Sequence, residues 1–299
     1  MKLVSYNIQY GFGSDGHYNL SRIAKAVAGA DVIALQEVER HWSRTNDDDQ
    51  PALLAQMLPE YFCVYGPAFD MDASSIESGI VTNRRRQFGT MLLSKYPIAW
   101  SRLFALPMRR MINPLNTRNA ALEGTILTPA GPLRFLSLHL AHVGVAERLE
   151  QIDYLIDQHN RSSAEGGPWS GLDDEPSRNW TNGETEPACP TAAIWLGDFN
   201  TEPASAEYRR ITDETPYHRG ARYYGGFCDA AVAAGVPTGS LYTHAKIIDG
   251  TRRLRQLDHC FVSPALAPRV HDVTARNDEI ASDHHPLWID IDLETPFAP

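Results

Sequence analysis

Cysteine is scarce and scattered in this chain: Cys63, Cys189, Cys228 and Cys260 form no CxxC pair and no close cluster. That excludes a disulfide scaffold and a zinc-thiolate site, and fits a reducing compartment. Long apolar runs are missing too. No stretch approaches the roughly 20 apolar residues that span a bilayer. Met1-Lys2-Leu3-Val4-Ser5-Tyr6-Asn7 turns polar too early for a signal-peptide core. The expectation is a cytoplasmic protein without a transmembrane segment. Positive charge is in deficit: 27 Lys and Arg against 37 Asp and Glu leave −10 over 299 residues. Proteins that hold nucleic acid by counterion release normally carry a basic face. A nuclease made from this chain would therefore draw positive charge from bound metal. Arg84-Arg85-Arg86, Arg109-Arg110 and Arg252-Arg253-Leu254-Arg255 are basic clusters, and such clusters read first as solvated loops. No internal repeat and no break in composition marks a boundary, so one domain over 1–299 is expected.

What is present is the composition of a globular protein, 43% hydrophobic and 21% charged, long enough to bury a sizeable core. Several strand-length apolar runs finish in polar residues. Residues 2–9 read as a first strand with Asn7 near its end. A helix follows, with Leu20, Ile23, Ala24 and Val27 on one side after an Asn19 N-cap. Residues 31–37 form a second strand, apolar until Gln36 and Glu37 and hence buried on both faces. If the three make a βαβ unit, Asn7 and Glu37 reach the same rim of the sheet. Gly11-Phe12-Gly13-Ser14-Asp15-Gly16 is a literal GxGxxG, and Glu37 stands where a dinucleotide fingerprint wants an acid. The glycines of that fingerprint open the helix. Here His17 and Tyr18 intervene, and the strand before them carries Asn7 and Gln9 in place of apolar residues.

Farther along, Pro51 suits the first turn of a helix whose N-terminus the Asp47-Asp48-Asp49 run complements. Strands are expected over 61–66, 88–94, 118–127 and 133–139, with a Pro129-Ala130-Gly131 hairpin turn between the last two. Their antiparallel pairing implies mixed sheets. An amphipathic helix over 146–159 comes next. Residues 161–191 are rich in Gly, Pro, Ser, Asn and Glu and read as a mobile insertion. The insertion enters the 193–200 strand from its N-terminal end, which puts it on the rim opposite Asp198. If that strand stays extended to Asn200, Asp198 and Asn200 point to one side. Taken alone, it is an ordinary strand end with an Asx turn. Residues 255–264 form a strand with Asp258 embedded in it, and a buried Asp needs a partner or a cation. Asp283-His284 precedes the last strand, 287–293.

The polar residues at strand ends are thus Asn7, Glu37, His139, Asp198, Asn200, Asp258, Asp283 and His284. Asn7, Glu37 and Asp283 offer hard oxygen donors suited to Mg²⁺ or Mn²⁺. No cysteine takes part, and the carboxylates are too many for the usual zinc site. A histidine beside carboxylates suits acid or base work near neutral pH. A second Asp fixing its tautomer would complete the set.

Tyr6-Asn7-Ile8-Gln9, Gln36-Glu37-Val38, Leu93-Ser94-Lys95-Tyr96-Pro97-Ile98, Ser137-Leu138-His139-Leu140, Gly197-Asp198-Phe199-Asn200, Leu257-Asp258-His259 and Ser282-Asp283-His284 follow one another in a familiar order. In this order the sequence resembles the endonuclease/exonuclease/phosphatase superfamily over nearly the whole chain. Each motif alone is weak, but the set in order is specific. The resemblance implies a four-layer α/β sandwich, two mixed β-sheets packed face to face with helices outside. It implies metal binding by Glu37 with Asn7 and Asp283 nearby, and a catalytic His284 oriented by Asp258. Asp198 would position or deprotonate the attacking water, and Asn200 would hold a phosphate oxygen. His139 matches the second histidine of the deoxyribonuclease-like and sphingomyelinase-like branches, contacting phosphate or assisting the leaving group. Arg118 matches an arginine often found at that strand start, on the substrate. Thr90 departs from the pattern, standing where relatives often carry Asn, and leaves substrate contacts there open. The activity implied is that of a phosphoester hydrolase with Mg²⁺ or Mn²⁺ as cofactor. Its substrate would be nucleic acid or a small phosphodiester. A phosphomonoesterase, a phospholipid-type phosphodiesterase and an inactive binding protein on the same fold stay open as alternatives.

Overall fold

Strands make up most of the regular structure. In chain order they begin with β1 (Lys2–Asn7), β2 (Val32–Arg40), β3 (Phe62–Asp72), β4 (Ser75–Glu77), β5 (Ile80–Thr82), β6 (Arg85–Ser94), β7 (Ile98–Ala105) and β8 (Ala120–Thr128). They continue with β9 (Gly131–His139), β10 (Ala193–Asp198), β11 (Cys228–Asp229), β12 (His244–Ile248), β13 (Thr251–Arg255), β14 (Asp258–Val262), β15 (Val270–Ala275) and β16 (Leu287–Ile291). The helices are α1 (Leu20–Val27), α2 (Gln50–Met57), α3 (Val145–Glu165), α4 (Ala206–Thr212) and α5 (Ala230–Ala233). This computed structural model describes residues 1–296 apart from Pro114, Pro176, Pro216, Arg219 and Thr238.

Two six-stranded sheets form, in the orders β15-β16-β1-β2-β6-β3 and β11-β14-β10-β9-β8-β7. β1–β2 and β9–β10 pair parallel, while β1–β16 and β10–β14 pair antiparallel, so both sheets are mixed. Side chains alternate across each strand, and the alternation sorts the core into layers. Leu3, Ala34 and Leu92 meet Phe135, Ile194, Leu196 and Val262 between the sheets. The alternate residues Val4, Tyr6, Ile33 and Leu35 pack under Leu20, Ile23 and Leu54 of α1 and α2. On the other outer face Leu136, Leu138 and Trp195 pack under α3 and α4, against Ile152, Leu155 and Ile211. The result is the four-layer α/β sandwich expected from the sequence.

The helix starts follow their caps. Asn19 Oδ1 accepts from the N–H of Ser21 and Arg22 at 3.0 and 3.3 Å, and Asp49 Oδ1 accepts from Ala52 N at 3.1 Å. Such caps contribute about 1 kcal/mol each. Since α1 opens at Leu20, the glycines of the GxGxxG run lie in the preceding turn and loop and do not start a helix.

Several boundaries differ from the sequence reading. β2 does not stop at Glu37 but continues to Arg40 through an irregularity between Gln36 and Val38. α3 runs on to Glu165 and takes in the first residues of the 161–191 segment. Past the expected end Ser162 is buried, and its Oγ donates to His159 O at 2.7 Å. β14 is confined to Asp258–Val262, because Pro264 opens a 3-10 turn. Residues 166–192 contain no helix or strand among the described residues. This stretch is tied to the sheet rim where β10 begins: Trp100 Nε1 donates to Ala188 O at 2.9 Å and Arg134 Nε to Pro190 O at 2.7 Å. Among the described residues no helix is long and apolar enough to cross a membrane.

Candidate active site

Between the sheets each central strand starts apolar and ends its inward face on a polar residue. In β10 the inner positions are Ile194, Leu196 and then Asp198; in β9 they are Leu133, Phe135, Ser137 and then His139. β1 gives Leu3, Ser5 and Asn7, and β14, running the other way, gives Val262, Cys260 and Asp258. The period of two therefore delivers four polar side chains to one rim, where the space between the sheets meets solvent. Pairing then sets their spacing: Asp198 is the register partner of His139 on one side and of Asp258 on the other.

Glu37 arrives by another device. Gln36 pairs with Thr90 and Val38 with Gly89, so Glu37 is an extra residue in β2, and its φ of 60° is left-handed. A bulge of this kind re-aims a side chain at the cost of local strain. Here it turns the carboxylate toward Asn7 and His139. Gly197 is needed for a different reason: a Cβ there would lie 2.0 Å from Leu138 O on the adjacent strand.

Asp198 is the hub. Asn7 Nδ2 donates to Asp198 Oδ2 at 3.0 Å and to Glu37 Oε1 at 3.1 Å. His139 Nε2 lies 3.6 Å from Asp198 Oδ2 and 4.0 Å from Glu37 Oε1. His284 Nε2 approaches the same Asp198 oxygen to 3.7 Å, while its Nδ1 sits 2.7 Å from Asp258 Oδ2. Asn200 is a correction to the extended-strand expectation. Its φ is 50°, its N–H donates to Asp198 Oδ1 at 2.8 Å, and its Nδ2 donates to Leu140 O at 2.9 Å. The strand ends in an Asx turn, and Asn200 steadies Asp198 from behind.

Residues not named among the candidates hold these in place. Thr243 Oγ1 accepts from the N–H groups of Leu257 and Asp258, both at 2.9 Å. Ser282 Oγ donates to Asn7 O at 2.8 Å and accepts from His284 N at 3.1 Å, joining the last strand to the first. His244 packs edge-on to His284 with ring centroids 4.8 Å apart, and its Nε2 is 3.8 Å from Asp283 Oδ2. The sequence gives no sign of these contacts where they join residues distant in the chain.

Electrostatics divide the site. Burial by itself would lower the His284 pKa, but Asp258 and Asp198 outweigh it and hold it up to about 10. The ring is therefore an imidazolium at neutral pH. Burial would likewise raise Asp198, yet His284, His139 and the hydrogen bonds from Asn200 and Asn7 keep it below the usual carboxylate range. Asp258 is pushed up by its burial, against the pull of His284. Asp283 is also pushed up, by burial and by the nearby charges of Glu37 and Asp198.

Two places could take a cation. Asp198, Asp258 and His284 bring one donor atom each within 4.8 Å of one another. The His284 ring, however, already stands between the two carboxylates, hydrogen-bonded to Asp258 and at ion-pair distance from Asp198. The better fit is the edge formed by Glu37, Asn7 and Asp283. Its carboxylates repel one another, and among the described residues no Lys or Arg forms an ion pair with Glu37, Asp198 or Asp283. Hard oxygen donors with unneutralised charge suit a hard divalent cation. The Asn7 oxygen itself faces away and accepts from Gln9 N at 3.0 Å, so ligation by Asn7 requires its amide to turn over.

Arg118 lies just before β8. It lines a narrow surface crevice together with Phe88, Thr90, Asn119 and His139. Thr90 Oγ1 and Asn119 Oδ1 are buried there without a hydrogen-bond partner among the described residues. Of the residues expected at the site, Asn7, Glu37, His139, Asp198, Asp258 and His284 form one connected cluster. Asp283 joins through His244, and Arg118 stands beside His139.

Comparison with known proteins bears on the fold and the family. The model of the Endonuclease/Exonuclease/phosphatase family matches residues 4–284. No curated protein matches the sequence. Among solved structures, an endonuclease/exonuclease/phosphatase from Bacteroides vulgatus has a TM-score of 0.63 at 19% identity, covering 98% of each chain. A Bacteroides thetaiotaomicron mannosyl-6-phosphatase has a TM-score of 0.60 at 18% identity, covering 97% of this chain and 99% of its own. Caenorhabditis elegans TDP2 has a TM-score of 0.58 at 18% identity, with 97% of this chain and 73% of that one covered. At these identities the likeness is one of fold, while the family match spans the whole run of strand-end residues. This chain belongs to the endonuclease/exonuclease/phosphatase family of phosphoester hydrolases.

Proposed function

We propose that the chain is a Mg²⁺- or Mn²⁺-dependent phosphodiesterase or nuclease-like hydrolase, acting on nucleic acid or a small phosphodiester by in-line attack of water. The observation that carries this reading is the convergence on Asp198. One ionised carboxylate faces Asn7, His139 and an imidazolium His284 at the mouth of the cleft. Asp198, held in its charged form, is the group that orients the attacking water and takes its proton. His284, positive and locked by Asp258, stabilises charge developing on the phosphoryl oxygens. His139 faces the phosphate or the leaving oxygen. Asn200 has a second amide N–H beyond the one given to Leu140, and Arg118 supplies a cation beside His139 for the substrate. Glu37, Asp283 and Asn7 would hold the divalent ion, which when bound supplies Lewis-acid charge to a phosphoryl oxygen.

A phosphomonoesterase is the second reading, favoured by the likeness to the mannosyl-6-phosphatase. The test is a panel of plasmid DNA, RNA, bis-p-nitrophenyl phosphate, p-nitrophenyl phosphate and inositol phosphates, each with Mg²⁺ and with Mn²⁺. Turnover of diesters above monoesters is expected, and abolished by Asp198→Asn. Preference for monoesters replaces the first reading by the second. Turnover of none leaves a binding protein on this fold.

A further inference from the structure

Three basic clusters stand out in a chain of net charge −10, and in two of them arginines pair with nearby acids. Arg84 meets Asp47, Arg85 meets Asp70, and Arg109 meets Glu150. Arg86 lies over the Trp42 ring. The third cluster differs. Lys246, Arg252, Arg253 and Arg255 form no ion pair with a carboxylate among the described residues; the side-chain contact of Arg255 is to a histidine.

These cations lie on β12 and β13, a two-stranded ribbon closed by Asp249-Gly250, whose φ values of 50° and 74° suit a tight hairpin. Lys246 is directly opposite Arg253, and His244 opposite Arg255. The alternation of strand side chains puts all four on one face. Like charges directly opposite each other destabilise a strand pair. Such a local conflict is characteristic of functional sites. The ribbon is rooted in the catalytic cluster: Ala245 N donates to Asp283 O at 3.1 Å and His285 N to Thr243 O at 2.6 Å. Arg255 Nη2 reaches His244 Nδ1 only at 3.5 Å, and its Nε is buried with no hydrogen-bond partner among the described residues. A guanidinium with unmet donors beside His244 lacks an anion. Two residues farther out, at about 3.4 Å per residue, Lys246 and Arg253 stand roughly 7 Å beyond His244.

We infer that this face of the ribbon binds a second phosphate group of the substrate, next to the one being hydrolysed. The inference rests on the phosphoesterase reading above and narrows it to substrates with more than one phosphate. The same chemistry is offered by the neighbouring phosphate of an oligonucleotide and by a further phosphate on a small polyol.

The test compares the wild-type protein with a Lys246→Ala/Arg253→Ala double variant, whose sites are exposed. In EDTA, calorimetric titration with a short oligothymidylate and with inositol hexakisphosphate is expected to show binding that weakens about tenfold in the variant, and less at high salt. Wild-type affinity in the variant, or no binding of either probe by the wild type, overturns the inference. In turnover, kcat/KM for a dithymidylate with a terminal phosphate should exceed that for the same compound without it by about tenfold. The equivalent ratio is measured for inositol bisphosphate over inositol monophosphate. At least one ratio must exceed one in the wild type and approach one in the variant, and the arm that responds names the source of the phosphate. Ratios of one in both arms, or a preference that survives the substitutions, refute it. Weakened binding with no hydrolysis of any substrate would leave the anion site standing and reject the hydrolase reading alone.

Discussion

Replacing Asp258 by asparagine keeps the shape of its pair with His284 and removes the charge. The contact is short, 2.7 Å between Oδ2 and Nδ1, and buried on both sides. Burial opposes the imidazolium, and the two aspartates reverse that effect, setting the His284 pKa at about 10. In the unfolded chain a histidine titrates near 6.5. Between about pH 6.5 and 10, therefore, the folded protein holds a proton that the unfolded chain has released. The resulting stability is fully present below about 6.5 and is lost as pH rises through 10. One proton corresponds to a slope of at most about 1.4 kcal/mol per pH unit. Asp258→Asn removes one of the two main anions, so the slope flattens. Overall stability at neutral pH falls by about 3–5 kcal/mol, as for other broken buried pairs. Urea unfolding in EDTA from about pH 6.5 to 8.5, followed by tryptophan fluorescence, gives both quantities. The thiols, pushed up by burial, add a slope of the same sign at higher pH in both proteins, and the difference curve removes it. An unchanged slope in the variant would refute the electrostatic account of His284. Turnover is expected to fall by about two to four orders of magnitude, the range for a disturbed acid–base group.

Three further outcomes follow from the same geometry. Glu37→Gln should leave the fold intact and raise the Mg²⁺ or Mn²⁺ concentration for half-maximal turnover by about ten- to a hundredfold; an unchanged metal titration removes Glu37 from the cation edge. Gly197→Ala places a Cβ 2.0 Å from Leu138 O and 2.8 Å from its carbonyl carbon, both fixed backbone. The strands must part, so the melting temperature should drop by more than ordinary overpacking of about 1–3 kcal/mol would give, with turnover lost alongside. Thr243→Val keeps the volume but leaves the Leu257 and Asp258 N–H groups without their acceptor. Urea unfolding should register about 1–3 kcal/mol for each buried group, and kcat should fall as Asp258 loosens.

Much of this was legible in the sequence because the rim obeys a local rule. Ile194, Leu196 and Asp198, or Phe135, Ser137 and His139, show in order that a buried strand turns polar where it meets solvent. Asn19 and Asp49 announced their helices in the same local way. What escaped depends on distant partners. Nothing in Gln36-Glu37-Val38 signals an extra residue, since Glu is a rare choice at φ 60° and only pairing with Thr90 and Gly89 reveals it. Asn200 turns back because Leu140 O, just past the end of β9, is there to receive its amide. Ser282 and Asn7 meet across 275 residues. Arg134 breaks the apolar pattern of β9 in the sequence. In the fold it is fully buried, held by Glu123 at 3.0 Å and by carbonyls of the segment leading into β10.

The side-by-side register of His139, Asp198 and Asp258 has a consequence for how such a protein can diversify. Because the three sit on hydrogen-bonded neighbours, their separations are inherited from the backbone ladder, and no loop has to close to assemble them. The reactive geometry is a by-product of folding. Segments that overhang the rim, such as the β12–β13 ribbon and the stretch before Arg118, can change length and charge without moving it. Selectivity can drift while the chemistry stays put.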